Sequence, residues 1–158
     1  MDIHIRKATK ADMPRVLELI TELAVYEKEP DGVKIKVDTL EKEGFGADPL
    51  FTCFVAEVKG IVEGIAIVYD VFSTWRGRAV HLEDLIVTQS MRGKGIGLKL
   101  YSKVMQYAHE RGIVAVKWIV LDWNKPAIDF YEKSGAIFYK DWYIAIMEEE
   151  GLAQFIDK

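Results

Sequence analysis

The sequence predicts one mixed α/β (α+β) domain, with a mostly antiparallel central sheet flanked by helices. Three observations carry that prediction. Two stretches rich in strand formers, Phe51–Val58 and Ile61–Phe72, lie back to back around a Lys59-Gly60 turn, which reads as an antiparallel hairpin. From Arg78 onward, strand-like and helix-like stretches alternate. The chain has 158 residues, half of them hydrophobic, which suits a single domain (1–158) with its own core and excludes a disordered chain.

The elements follow in order. Ile3–Lys7 alternates apolar and polar residues, as a half-buried strand does. Thr9 or Asp12 caps a helix whose apolar face is Met13, Val16, Leu17, Ile20, Leu23 and Ala24. Pro30-Asp31-Gly32 is a turn, and a short helix from Asp38 is stopped by Gly44. The hairpin strands come next, then a third strand over Arg78–Thr88. A glycine-rich turn opens a helix from about Gly97 to Arg111, ended by Gly112. Ala115–Leu121 reads as an apolar strand. Asn124 caps a helix to Ser134, Ala136–Met147 is strand-like, and Glu148–Phe155 closes the chain as a short helix.

Composition removes several function classes. With 25 acidic against 21 basic residues, the net charge is −4, so no nucleic-acid partner is expected, while a cationic partner is permitted. No run of roughly 18 apolar residues predicts a membrane span, and Met1–Lys10 does not resemble a signal peptide. Cys53 is alone and lies in an apolar run, which predicts a core thiol and a cytoplasmic protein. His4, His81 and His109 lack metal-ligand spacing, so no metal is expected, and His81 reads as structural or exposed.

The most informative segment is the turn Arg92-Gly-Lys-Gly-Ile-Gly97. Gly93, Gly95 and Gly97 follow a strand and open a helix, with Arg92 and Lys94 interleaved. Bare backbone N–H groups and the positive end of a helix form an anion site, and a pyrophosphate fits it. A dinucleotide fingerprint fails, because Leu98 or Leu100 stands where its third glycine belongs. A Walker loop is absent too, since no Gly-Lys is followed by Ser or Thr.

The turn resembles the acetyl-coenzyme A pyrophosphate loop of the GNAT superfamily of N-acetyltransferases. A second stretch, Leu121-Asp-Trp-Asn124 through Tyr131 to Gly135, is similar to that superfamily's asparagine–helix–tyrosine–glycine pattern. Glu22–Lys28, Gly44-Phe-Gly46, Ser73–Arg78 and Leu82-Glu-Asp84 look like the diamine acetyltransferase family. Ser73-Thr-Trp75 and Leu121–Asn124 lean toward its thialysine N-acetyltransferase branch. Between Gly135 and Trp142 the chain is shorter than the family pattern and lacks its acidic stretch.

The resemblance implies acetyl transfer from acetyl-CoA directly to a primary amine of a small molecule, thialysine, lysine-like or polyamine. The ammonium must lose a proton, because at a pKa of about 10.4 it is only about one part in 10³–10⁴ neutral at pH 7. Glu83 is the expected base, and alternation along the strand predicts that Glu83 and Asp84 face opposite ways. Tyr131 is the expected acid for the departing thiolate. Backbone groups of Leu85, Ile86 and Val87 would meet the oxyanion and the pantetheine arm. Arg92, Gly93, Lys94, Gly95, Ile96, Gly97 and Leu98 would hold the pyrophosphate. Asn124, Lys125, Pro126 and Ala127, with Tyr131, would line the same cofactor. Tyr26, Glu27 and Trp75, with Glu83, would bind the amine. The family implies a homodimer. Acetylation of a protein or peptide amine, or a non-enzymatic CoA-binding module, are the alternatives.

Overall fold

The computed structural model of the chain describes residues 1–157. They form two compact units, Met1–Ile119 and the residues from Val120 onward.

In the first unit a five-stranded sheet has the order of the chain itself: β1 (His4–Lys7), β2 (Thr52–Val58), β3 (Ile61–Ser73), β4 (Gly77–Val87) and β5 (Ala115–Lys117). The first three pairings are antiparallel and the last is parallel. The hairpin expected at Lys59-Gly60 forms, and both residues take positive φ, 52° and 79°. Helices α1 (Met13–Tyr26) and α2 (Val37–Phe45) cover one face of the sheet. Their buried Met13, Val16, Leu19 and Leu40 pack with Cys53, Val55, Ile65, Ile67 and Ile86. Helix α3 (Ile96–Glu110) covers the opposite face, where the Tyr107 ring meets Phe54 edge-on at 5.3 Å. Alternating residues of one strand thus serve two cores, which is why β2 and β3 are apolar almost throughout.

The start of α1 is tied down by charge. Arg6 on β1 donates to Asp12 at 2.7 Å and to Glu57 of β2 at 3.0 Å. Asp12 also accepts the Thr9 backbone N–H at 2.7 Å, and these contacts hold its carboxyl down to about 2, the Arg6 hydrogen bond foremost.

The second unit holds α4 (Lys125–Lys133) and α5 (Glu149–Ile156). Asn124 caps α4, its Oδ1 accepting the Ala127 N–H at 3.4 Å. The strand expected over Ala136–Met147 does not form: among the described residues the sheet holds only β1 to β5. A strand needs a neighbour for its N–H and C=O groups, and β5 ends the sheet. Apolar side chains of the stretch lie open, Tyr143 being 98% exposed. β5 is also shorter than the expected Ala115–Leu121, stopping at Lys117. Helix α2 runs one residue past Gly44 and is capped by Gly46.

Gly64 sets how closely α3 approaches the sheet. A Cβ there would stand 3.0 Å from both the Ile86 carbonyl oxygen and Leu100 Cδ1. The expected outcome for Gly64→Ala is a lower denaturation midpoint, worth ~1–3 kcal/mol of overpacking. Wild-type stability in G64A would show that α3 moves away freely.

Candidate active site

β4 ends at Val87, and a single 3-10 turn (Gln89–Met91) leads to the glycines. Gly93 and Gly95 have φ of 74° and 82°, and an added Cβ at either would meet nothing within 4 Å. Glycine is needed there for left-handed backbone rather than for space. Gly97 is ordinary helix, and a Cβ there would only touch Val87 at 3.7 Å. The first intrahelical bond of α3 runs from the Lys99 N–H to the Gly95 carbonyl. The N–H groups of Ile96, Gly97 and Leu98 precede it, so they are the helix-end donors an anion can use.

The two loop cations, expected beside the anion site, are engaged by protein partners. Arg92 Nε donates to the Val87 carbonyl at 3.0 Å, and its guanidinium lies 3.6 Å from Glu22 and 5.0 Å from the centre of the Tyr26 ring. Lys94 folds back to donate to the Ser90 carbonyl at 3.1 Å. Glu22 also accepts the Gln89 N–H at 2.8 Å. One helical face further along α1, Arg15 donates to the Val62 carbonyl at 3.0 Å and to Thr88 Oγ1 at 2.9 Å. Arg15 was not singled out from the sequence, and Glu22 entered only as the first residue of the Glu22–Lys28 stretch. Their signal was the spacing of seven, two helical turns, which puts both on one face of α1.

Beside the loop, β4 opens along one edge. β5 pairs only with Ala79, Val80 and His81. From Leu82 to Val87, β4 is paired with β3 alone, Leu85, Ile86 and Val87 facing Ala66, Ile65 and Gly64. An extended ligand bearing amides can add to such an edge.

The acids depart from expectation. Ile67 of β3 pairs with Asp84 and Val68 pairs with Leu82, so Glu83 is an extra residue, a β-bulge. The bulge cancels strict alternation. Tyr69 Oη donates to Glu83 Oε2 at 2.9 Å, and Tyr69 shares the face of Ile67, two residues away and opposite Asp84. Glu83 and Asp84 therefore face the same side, the α1 side. Burial first, then the charges of Glu83 and Glu27, push the Asp84 carboxyl up to about 7. Burial also raises Glu27, and burial with the Glu83 hydrogen bond raises the Tyr69 phenol to about 12. Three carboxyl groups thus gather on one face.

Tyr26 and Glu27, at the end of α1, join the loop and the acids: Tyr26 stacks on Arg92, and Glu27 is felt at Asp84. Trp75 does not join them. It sits in the β3–β4 turn, 84% exposed. From Gly77 to Glu83 alone β4 spans about 20 Å at strand rise. In the second unit, Asn124 and Tyr131 are both buried and frame α4, with Lys125, Pro126 and Ala127 between them. Tyr131 meets the Phe130 ring edge-on at 5.3 Å, and Lys125 pairs with Asp129 at 2.7 Å. Cys53 is buried and its thiol pushed up to about 12, first by burial, so it is held as the unreactive thiol. Among the described residues no group of three or more His, Cys, Asp or Glu is placed to hold a metal ion.

The raised carboxyl of Asp84 makes a stability prediction. In the fold it stays protonated up to about pH 7, whereas in the unfolded chain it ionises near pH 4. The folded state then binds the extra proton between these values, so stability falls as pH rises through that window and levels off above it. Asp84→Asn is neutral throughout. Its stability gain over wild type should grow from pH 4 to pH 8, to at most ~4 kcal/mol, in denaturant melts. A difference that does not grow with pH contradicts the burial of Asp84.

Comparison with known proteins places this geometry. The family model described as the acetyltransferase (GNAT) family matches residues 13–136. The thialysine N-epsilon-acetyltransferase of Sus scrofa is 41% identical over 142 residues, 85% of this chain and 84% of that protein. The spermidine/spermine N(1)-acetyltransferase-like protein 1 of Homo sapiens is 34% identical over 141 residues, 85% of this chain but 20% of that protein. Among solved structures, an integron cassette protein from the mobile metagenome of V. cholerae superposes with a TM-score of 0.80 at 22% identity, over 100% of this chain and 99% of that one. An aminoglycoside acetyltransferase from a soil metagenome superposes with a TM-score of 0.76 at 20% identity, over 92% and 97%. At such identities the superpositions speak for the fold. With the family match running from α1 through the glycine loop to the end of α4, the chain belongs to the GNAT family and is an acetyltransferase.

Proposed function

We propose that the protein moves the acetyl group of acetyl-CoA directly to a primary amine of a small molecule, of the thialysine, lysine-like or polyamine kind. The observation that carries this is the bulge face, where Glu83 and Glu27 gather with the proton-holding Asp84 beside the open edge of β4 and attract an ammonium. The family relatives named as thialysine acetyltransferases in pig and cattle, 41% and 38% identical, support the same substrate class.

The residues present fit the cofactor. The N–H groups of Ile96, Gly97 and Leu98, set up by Gly93 and Gly95, would hold the pyrophosphate, with Arg92 and Lys94 supplying positive charge behind them. Leu85, Ile86 and Val87 would offer backbone groups to the pantetheine arm and the oxyanion. Asn124, Lys125, Pro126 and Ala127 would meet the same arm at the start of α4. Acetyl-CoA supplies an acetyl thioester.

Glu83 receives the ammonium proton, directly or through a water, and Tyr26 and Glu27 hold the cation. Tyr131 gives its phenolic proton to the leaving thiolate, whose basicity is similar. Cys53 plays no covalent part, since a buried thiol is a poor nucleophile. A lysine-sized amine at Glu83 does not extend to Trp75, about 20 Å along β4. Residues 1–158 are read as one N-acetyltransferase domain. The exposed apolar stretch 136–147 suits pairing with a second copy, which supports a homodimer. An unpaired, buried cysteine suits the cytoplasm.

Acetyl-CoA with thialysine, lysine, spermidine, putrescine and a lysine peptide tests the proposal by mass spectrometry. Acetylated small amine is expected. Acetylated peptide alone would transfer the function to protein amines, and no product from any amine would refute it. Tyr131→Phe should lower kcat about 10²-fold with acetyl-CoA affinity unchanged. Unchanged kcat in Y131F would remove Tyr131 as the acid.

A further inference from the structure

Two side chains on the bulge face have no part in the chemistry above, Tyr69 and His81. Both address the same atom. Tyr69 Oη donates to Glu83 Oε2 at 2.9 Å, and His81 Nε2 stands 3.3 Å from that oxygen. Their rings lie 5.1 Å apart, tilted by 32°, so each limits the other's movement. Glu83 itself is half exposed, and no described residue approaches its Oε1 within hydrogen-bond distance.

An exposed glutamate swings among many rotamers, and ordering it costs entropy. A carboxylate that must take a proton from a bound amine works best when one oxygen is already presented at the right place. Two partners on one oxygen achieve that.

We infer that His81 is a positioning residue for Glu83: with Tyr69 it ties down Oε2 and leaves Oε1 turned to the amine. The inference rests on the amine role proposed for Glu83. The charged and titratable groups around His81 are Tyr69 from β3, Glu83 and Asp84 from its own strand, Lys117 as its register partner on β5, and Glu27 at the end of α1 acting through Asp84. Loss of His81 releases one hold on the Glu83 side chain, so a less ordered carboxylate meets the amine and kcat/KM falls while acetyl-CoA affinity does not.

The test compares His81→Phe with His81→Gln in the full-length chain. H81F keeps a ring against Tyr69 but removes the donor, whereas H81Q keeps a donor. H81F should lose about tenfold in kcat/KM for the amine, with acetyl-CoA affinity and thermal stability unchanged. H81Q should stay within about threefold of wild type. Wild-type kcat/KM in H81F would overturn the inference. So would equal loss in both variants with equal loss of thermal stability, which marks a purely structural residue. Glu83→Gln, assayed alongside, reads the base itself. Full activity in E83Q would remove the reading beneath the inference, whereas an inactive E83Q beside a normal H81F would overturn the inference alone.

Discussion

Opposite Ile67 and Val68 of β3, β4 fits three residues, Leu82, Glu83 and Asp84. Strict alternation would send one of two neighbouring carboxylates into the core beneath α3, among Val68, Leu82 and Val104. An unpaired charge there costs several kcal/mol, or forces the group to neutralise. The extra residue removes that conflict by turning both acids to the α1 face. It also concentrates repulsion there, and Asp84, the more buried, responds by holding its proton up to about pH 7. The face that would bind an ammonium is thus prepared by a local irregularity in pairing.

Helix α1 joins this acidic face to the anion-binding loop. Arg15 and Glu22 reach the turn after β4 from one side of the helix, and Glu22 with Tyr26 holds the guanidinium of Arg92. Arg92 therefore serves the loop as a strut as well as a charge. Buttressing of this kind suits a site built from backbone N–H groups, because their aim depends on the loop keeping its shape. The left-handed glycines Gly93 and Gly95 set that shape, and α1 keeps it.

Much of this was legible in the sequence, for physical reasons that differ by element. The hairpin strands, α1 and α3 declare themselves by periodicity, because one or both of their faces are buried. The glycine loop was legible because left-handed backbone beside a helix start leaves few residue choices. The bulge was not legible: Leu82-Glu83-Asp84-Leu85 alternates well enough to pass for regular strand, and only pairing with β3 shows the extra residue. The partners of Arg92 were not legible for a similar reason, since Glu22 and Tyr26 lie some seventy residues away in the chain. The stretch 136–147 has strand composition but joins no strand of the described sheet, and composition supplies no strand pairing.

The gathering of Glu27, Glu83 and Asp84 on one face is the centre of this account, and carboxyl-carbon NMR titration measures it most directly. In the wild-type protein the Asp84 side chain should titrate near pH 7, and its midpoint should drop when Glu83→Gln or Glu27→Gln removes a neighbouring charge. An Asp84 that titrates near pH 4, unmoved by either substitution, would contradict the shared face.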